Sequence, residues 1–182
     1  MAVYYPSDCD VEIPEHICDP CETFEKGKIR AIGFIKKTFE FIDPTNPTEW
    51  QAGINSHDII IIPAVIGSFD GGSEVLGPGY GDQSESLLGY DFSASIRDPN
   101  YKSNCLFWNL LKNSRIYKFF YKTETQGHIS DNPVTIIPKN PVTEDINSIV
   151  EWLATIKWKA SDAPCPFDAP AGIFDQCFTV AP

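Results

Sequence analysis

Two long stretches of the chain alternate apolar and polar residues. Leu88, Tyr90, Phe92, Ala94 and Ile96 alternate with Gly89, Asp91, Ser93, Ser95 and Arg97. Val150, Trp152, Ala154, Ile156 and Trp158 alternate with Glu151, Leu153, Thr155 and Lys157. A period of two puts each apolar set on one face of a strand. Leu88–Arg97 and Ile149–Lys159 are therefore predicted as long strands. Val150, Trp152, Ala154, Ile156 and Trp158 should face the core or a neighbouring subunit, with Glu151 and Lys157 on a wetter side.

Shorter patterns fill in the rest. Lys28–Lys36 reads as a strand with Ile29, Ala31, Gly33 and Ile35 on one face and Ile32 and Phe34 on the other. Ile59–Ile66 is apolar on both faces, as in a central or interface strand, and Pro63 within it points to an edge or a bulge. Ile116–Thr123 is an aromatic strand, and Val134–Ile137 a short one fenced by Pro133 and Pro138. Leu106, Phe107, Leu110 and Leu111 recur at helical spacing, with Ser103 as the expected cap. Thr48–Ala52 suits one helical turn capped by Thr48. Gly67–Ser86, with six glycines, Pro78 and four acids, reads as a solvated loop. The predicted fold class is mainly β (α+β), a β-sandwich or barrel with one flanking helix. Residues 1–22 form an N-terminal arm, 23–163 the β domain and 164–182 a proline-rich C-terminal arm. The arms carry apolar anchors (Val3, Tyr4, Tyr5; Phe167, Ile173, Phe174) suited to docking on neighbouring subunits.

Composition narrows the functions. Of the 182 residues 42% are hydrophobic and 13% aromatic, enough for one core. No apolar run reaches the ~18–20 residues of a membrane helix. The first residues show no basic or apolar export pattern, so free thiols are the expectation for the six cysteines. With 14 basic against 25 acidic residues and a net charge of −11, the chain lacks the cation excess that grips nucleic acid by its phosphates.

Candidate chemistry is sparse. Cys18 and Cys21 form a CxxC pair that, with Cys9 and His16, can supply a four-ligand zinc site. A second CxxC is missing, and packing of small side chains in an arm is the plainer account. The glycines around Gly77–Gly81 lack the Lys-Ser/Thr of a phosphate loop. Asp70, Glu74, Asp82 and Glu85 lack calcium-loop spacing. His57 and His128 have no evident nucleophile to serve and read as turn or surface residues. Trp152 and Trp158 can stack a sugar, although their apolar neighbours suit a core or an interface.

The order of elements resembles tail-tube-like ring proteins of bacteriophages, especially crAss-like phages infecting gut Bacteroidales. The matching pattern is the strand Leu88–Arg97, the helix Asn104–Lys112, the strand Tyr117–Tyr121, then Pro133–Ile137 and Glu151–Trp158, and the resemblance covers residues 23–163. It implies a tail-tube-like β-sandwich that oligomerises through its sheets around a channel. The implied protein is a virion structural component, assembled in the host cytoplasm into a six-fold or twelve-fold ring of the tail or head–tail connection. Its partners are copies of itself and other tail or portal-proximal proteins, with genomic DNA passing through without specific binding and no membrane involved. Ile60, Ile62, Phe92, Trp152, Trp158 and Phe174 are the expected interface residues. No catalysis, metal or cofactor is expected. The competing expectation is a β-sandwich carbohydrate-binding module.

Overall fold

The computed structural model describes residues 25–174, apart from 64, 80, 82, 83 and 113, together with His16. Among them are ten strands and two helices: β1 (Ala31–Lys36), α1 (Pro47–Asn55), β2 (Ile59–Ile62), β3 (Ile66–Phe69), β4 (Ser73–Gly77), β5 (Ser86–Asp98), α2 (Cys105–Leu111), β6 (Tyr117–Lys122), β7 (Gln126–Ile129), β8 (Thr135–Lys139), β9 (Trp152–Ala160) and β10 (Phe167–Asp168). The first sheet has the order β10-β7-β6-β1-β2 and the second β3-β5-β9-β8, with β4 also paired to β5. The fold is mainly β, with two antiparallel sheets.

The two strands with the clearest alternation form the longest pairing, β5 against β9, from Tyr90 opposite Ala160 to Asp98 opposite Trp152. Their apolar faces meet those of the first sheet. Ile32, Phe34, Phe119 and Tyr121 pack there against Phe92, Ala94, Ile96, Ala154, Ile156 and Trp158. The opposite face of the first sheet builds a second core from Ala31, Ile35, Ile59 and Phe120, covered by Trp50 of α1 and by Ile173 and Phe174. Among the described residues nothing covers the outer face of the second sheet in this way. The layers are thus α1 with the C-terminal segment, the first sheet, then the second sheet.

Several expectations change. The apolar run Ile59–Ile66 is two strands in two sheets. Pro63 cannot donate to a ladder, so β2 ends before it as an edge strand, and the chain crosses to β3. The stretch Gly67–Ser86 contains β3 and β4 instead of being all loop. β5 has 13 residues, long enough for β3 and β4 to pair end to end along one of its edges. Gly67 serves packing, since a Cβ there would meet Ile96 Cδ1 at 2.6 Å. Gly71 and Gly72, at φ of 80° and 94°, carry the turn between the two strands.

The helices differ in extent and caps, and the expected turn Thr48–Ala52 is part of a longer helix. α1 runs nine residues and is capped by Asn46, whose side chain accepts from Thr48 N, so Thr48 is not the cap. At α2 the cap is Asn104 instead of Ser103. Its inward face is Trp108 and Leu111, while Leu106 and Leu110 are exposed. The Trp108 indole donates to the buried Asp98 carboxylate at 2.9 Å, a bond that fits the rotation in which Trp108 and Leu111 enter the core. Ile29 precedes β1 and joins the core between the sheets, apart from Ala31 and Ile35. β9 begins at Trp152, which leaves Val150 outside it. β7 and β10, of four and two residues, were not expected.

The C-terminal arm does not begin at 164. Phe167, Ile173 and Phe174 pack onto their own chain, because the outer face of the first sheet and Trp50 offer an apolar seat. The N-terminal arm lies outside the described residues, except for His16, which is exposed. Glu25 ties the start of the described chain to the β6–β7 turn. Its carboxylate accepts from Thr123 Oγ1 at 2.6 Å, Thr125 N at 2.6 Å and Thr125 Oγ1 at 2.7 Å.

Candidate functional site: the open face of the second sheet

With one face of the first sheet covered and the inter-sheet space filled, the outer face of the second sheet is the broad surface that the described residues leave free. Alternation along β3, β5, β8 and β9 decides what it presents. The register sets Asp91 opposite Lys159 and Ser93 opposite Lys157, and puts Ser68, Ser95 and Thr155 in one row. Thr135 completes the row of Lys157, and Ile137 that of Thr155. The face is thus a band of hydroxyls with four cations, Arg97, Lys139, Lys157 and Lys159, and with Ile66, Ile137 and Leu153 among them. Two of those cations are neutralised on the spot. Lys159 Nζ lies 3.0 Å from Asp91 Oδ1, and Arg97 lies 2.6 Å from Glu151.

A groove of ≈ 640 Å³ crosses this face between Ser73, Asp91, Asn132 and Lys159. Its polar groups are mostly engaged in holding the strands. Asp70 Oδ1 accepts from Gly72 N at 2.9 Å and Ser93 N at 3.0 Å. Asn132 Nδ2 donates to Lys159 O at 2.7 Å. Such a surface can hydrogen-bond with water. It concentrates neither charge nor a nucleophile beside a base.

The candidate residues of the sequence fall elsewhere. Phe92, Trp152, Trp158 and Phe174, expected at a subunit interface, are 1%, 4%, 5% and 3% exposed in the chain's own cores. A side chain buried in this way has almost no area left to offer a partner. Ile60 and Ile62 are half-buried on edge strand β2 and pack against the inter-sheet core. Burial also withdraws Trp152 and Trp158 from stacking on a sugar. Cys9, Cys18 and Cys21 lie outside the described residues, so the zinc set is represented by His16 alone. Among the described residues no three metal-ligating side chains converge. His128 is on β7, stacked on Tyr121 at 4.7 Å, with Nδ1 3.2 Å from Pro164 O. His57 sits in the turn after α1 at φ 60°. Burial raises the Tyr121 phenol above its ordinary range.

The hydroxyl band was present in the alternation itself, as Ser93, Ser95 and Thr155. Assembling it required the strand order, which brings Ser68 and Thr135 alongside. The Glu25 clamp had no sequence signal, because its partners are about a hundred residues away. Among the described residues no helix is long and apolar enough to cross a membrane. Comparison with protein families, with curated proteins and with solved structures finds no match to this chain.

Proposed function

We propose that this chain is a virion structural protein that assembles into an oligomeric ring, six-fold or twelve-fold, in a phage tail or head–tail connection. The observation that carries the proposal is the open face of the second sheet, which is broad and rich in hydroxyls, with Arg97 and Lys159 neutralised by neighbouring acids and the remaining cations, Lys139 and Lys157, standing apart on separate rows instead of clustered. Holding DNA takes clustered cations. A wall past which DNA must move is better without them, and a net charge of −11 adds repulsion. In this role the face lines the channel, and the protein is a structural part without catalysis or cofactor. Its partners are other copies and adjoining tail or portal-proximal proteins. Light scattering and negative-stain images of the purified protein test the reading. A ring with a central channel is the expected result, and a monomer at assembly concentrations refutes it.

The groove between Asp91, Asn132 and Lys159 favours a second reading, a carbohydrate-binding module. Its mark is a monomer that binds glycans through this groove.

A further inference from the structure

Residues 38–96 contain no Lys or Arg, and residues 99–122 contain no Asp or Glu. The fold sends these two segments to opposite ends of β5. The first supplies the β4–β5 hairpin, which carries Glu74 and Glu85 on its surface and exposes Leu76, Leu87 and Leu88. The second supplies α2, pinned to the far end of β5 through Asp98, which accepts from Asn104 and Trp108. Beside α2, Ile60, Phe107, Leu110, Leu111 and Tyr117 line a hollow of ≈ 320 Å³. Lys112, Arg115 and Lys118 follow in the same stretch of chain. Leu88 is 65% exposed and Leu110 67%. Glu74, Glu85, Arg115 and Lys118 have no ion-pair partner among the described residues. At ~3.3 Å per residue the strand between the two ends is roughly 40 Å long, so a chain cannot bring its own hairpin to its own hollow.

We infer that the hairpin tip of one copy seats in the hollow beside α2 of the next, with Glu74 and Glu85 against Lys112 and Arg115. The occupant is a second copy because one chain carries both halves, a projecting apolar end that is acidic and a recessed apolar end that is basic. Charge complementarity of this kind fixes register and suppresses tip-to-tip pairing. Contact between unlike patches is heterologous, and repeated through a closing rotation it makes a ring. The inference rests on the ring reading above and adds which surfaces join the copies.

The test uses Leu88→Asp and Leu110→Glu. Both positions are exposed, so both variants should melt like the wild type. Light scattering should find a ring for the wild type and a monomer for either variant alone. Mixed one to one, the variants should give a heterodimer, since one sound tip and one sound hollow remain between them. A second pair, Glu74→Lys and Arg115→Glu, touches no apolar anchor. Each alone should loosen the ring at least tenfold in assembly concentration, and mixing should restore it. A monomeric wild type overturns the ring and this contact together. A wild-type ring that persists in all four variants, or a first mixture without heterodimer, overturns this contact and leaves the ring standing.

Discussion

Three tryptophans share the core between the sheets and differ in what the indole N–H meets. Trp108 Nε1 donates to the buried Asp98 carboxylate at 2.9 Å. Trp152 Nε1 donates to the Tyr101 carbonyl at 3.0 Å. Trp158 Nε1 is buried without an acceptor. Replacing each by Phe removes a similar volume, so the cavity cost is shared, and differences between the variants isolate the donor. Trp108→Phe loses a hydrogen bond to a charged group, which contributes ~1.5–3 kcal/mol. Trp158→Phe removes a donor whose unmet desolvation costs ~1–3 kcal/mol, which offsets part of its cavity. The two variants should therefore differ by about 2.5–6 kcal/mol, with Trp152→Phe between them. Guanidinium unfolding followed by circular dichroism measures this, provided the slope stays constant across the series. Equal losses in the three variants would refute the reasoning, because hydrogen bonding of the indoles would then contribute nothing.

Trp158 also packs within 5.6 Å of Phe69 and 5.2 Å of Phe92, centroid to centroid. Trp158→Ala should cost ~3–5 kcal/mol, and Lys157→Ala on the opposite face under ~0.5 kcal/mol; thermal melts separate them, and equal shifts would contradict the face assignment. Hydrogen bonds, first from Thr123 and then from Thr125, hold the Glu25 carboxyl at about 2, below its ordinary 4.5. The folded-state value is the lower one, so the clamp's contribution is complete above pH 4.5 and lost as pH falls toward 2. Glu25→Gln should flatten the pH dependence of stability in that window, and an unchanged acid profile would remove the clamp's role. Phe174 stacks on Phe120 at 4.8 Å and meets Trp50 at 5.0 Å, so Phe174→Ala should destabilise the single chain by ~3–5 kcal/mol. A variant that melts normally and only assembles poorly would return the C-terminal segment to the role of a docking arm.

Alternation made the centre of this fold legible, and it failed where other forces decide. β5 and β9 show their faces because each has one buried and one wet side. β1 is buried on both sides, yet its two apolar sets were still separable, since Ile32 and Phe34 enter one core and Ala31 and Ile35 the other. β3 and β4 were hidden by their glycines. Gly67 is there for close approach to Ile96, a packing reason that composition alone reads as a loop. The rotation of α2 goes with the burial of Trp108 and Leu111 and with the bonds of Asn104 and Trp108 to Asp98, contacts across the β5–α2 junction which no periodicity carries. The candidate interface residues were misplaced for a related reason. Large apolar side chains fit a core and an interface equally well on a pattern, and only the presence of a second sheet opposite Phe92 and Trp158 tells the two apart. The open face was legible as polar positions, while its continuity depends on a strand order set by pairing across the whole chain.

Assembly of such a molecule has few routes left to it. The first sheet is closed on its outer side by α1, Phe167, Ile173 and Phe174. The second sheet is closed on its inner side by the core and mainly polar on its outer side, where Ile66, Ile137 and Leu153 are scattered among hydroxyls and charges. Face-to-face stacking through either sheet would bury hydroxyls and charge pairs for little apolar gain, and burying polar groups without partners is costly. Exposed apolar side chains stand at single positions of the outer face (Ile66, Ile137) and of the loops (Ile42, Val142, Ile146, Ile149), and they gather at the rim, at the β4–β5 tip and beside α2, where Leu88 and Leu110 stand exposed. Rim contacts between unlike ends leave the broad face of the second sheet uncovered in every copy. In the proposed ring that face is therefore free to line a channel, which places adhesion at the edges and passage on the open sheet.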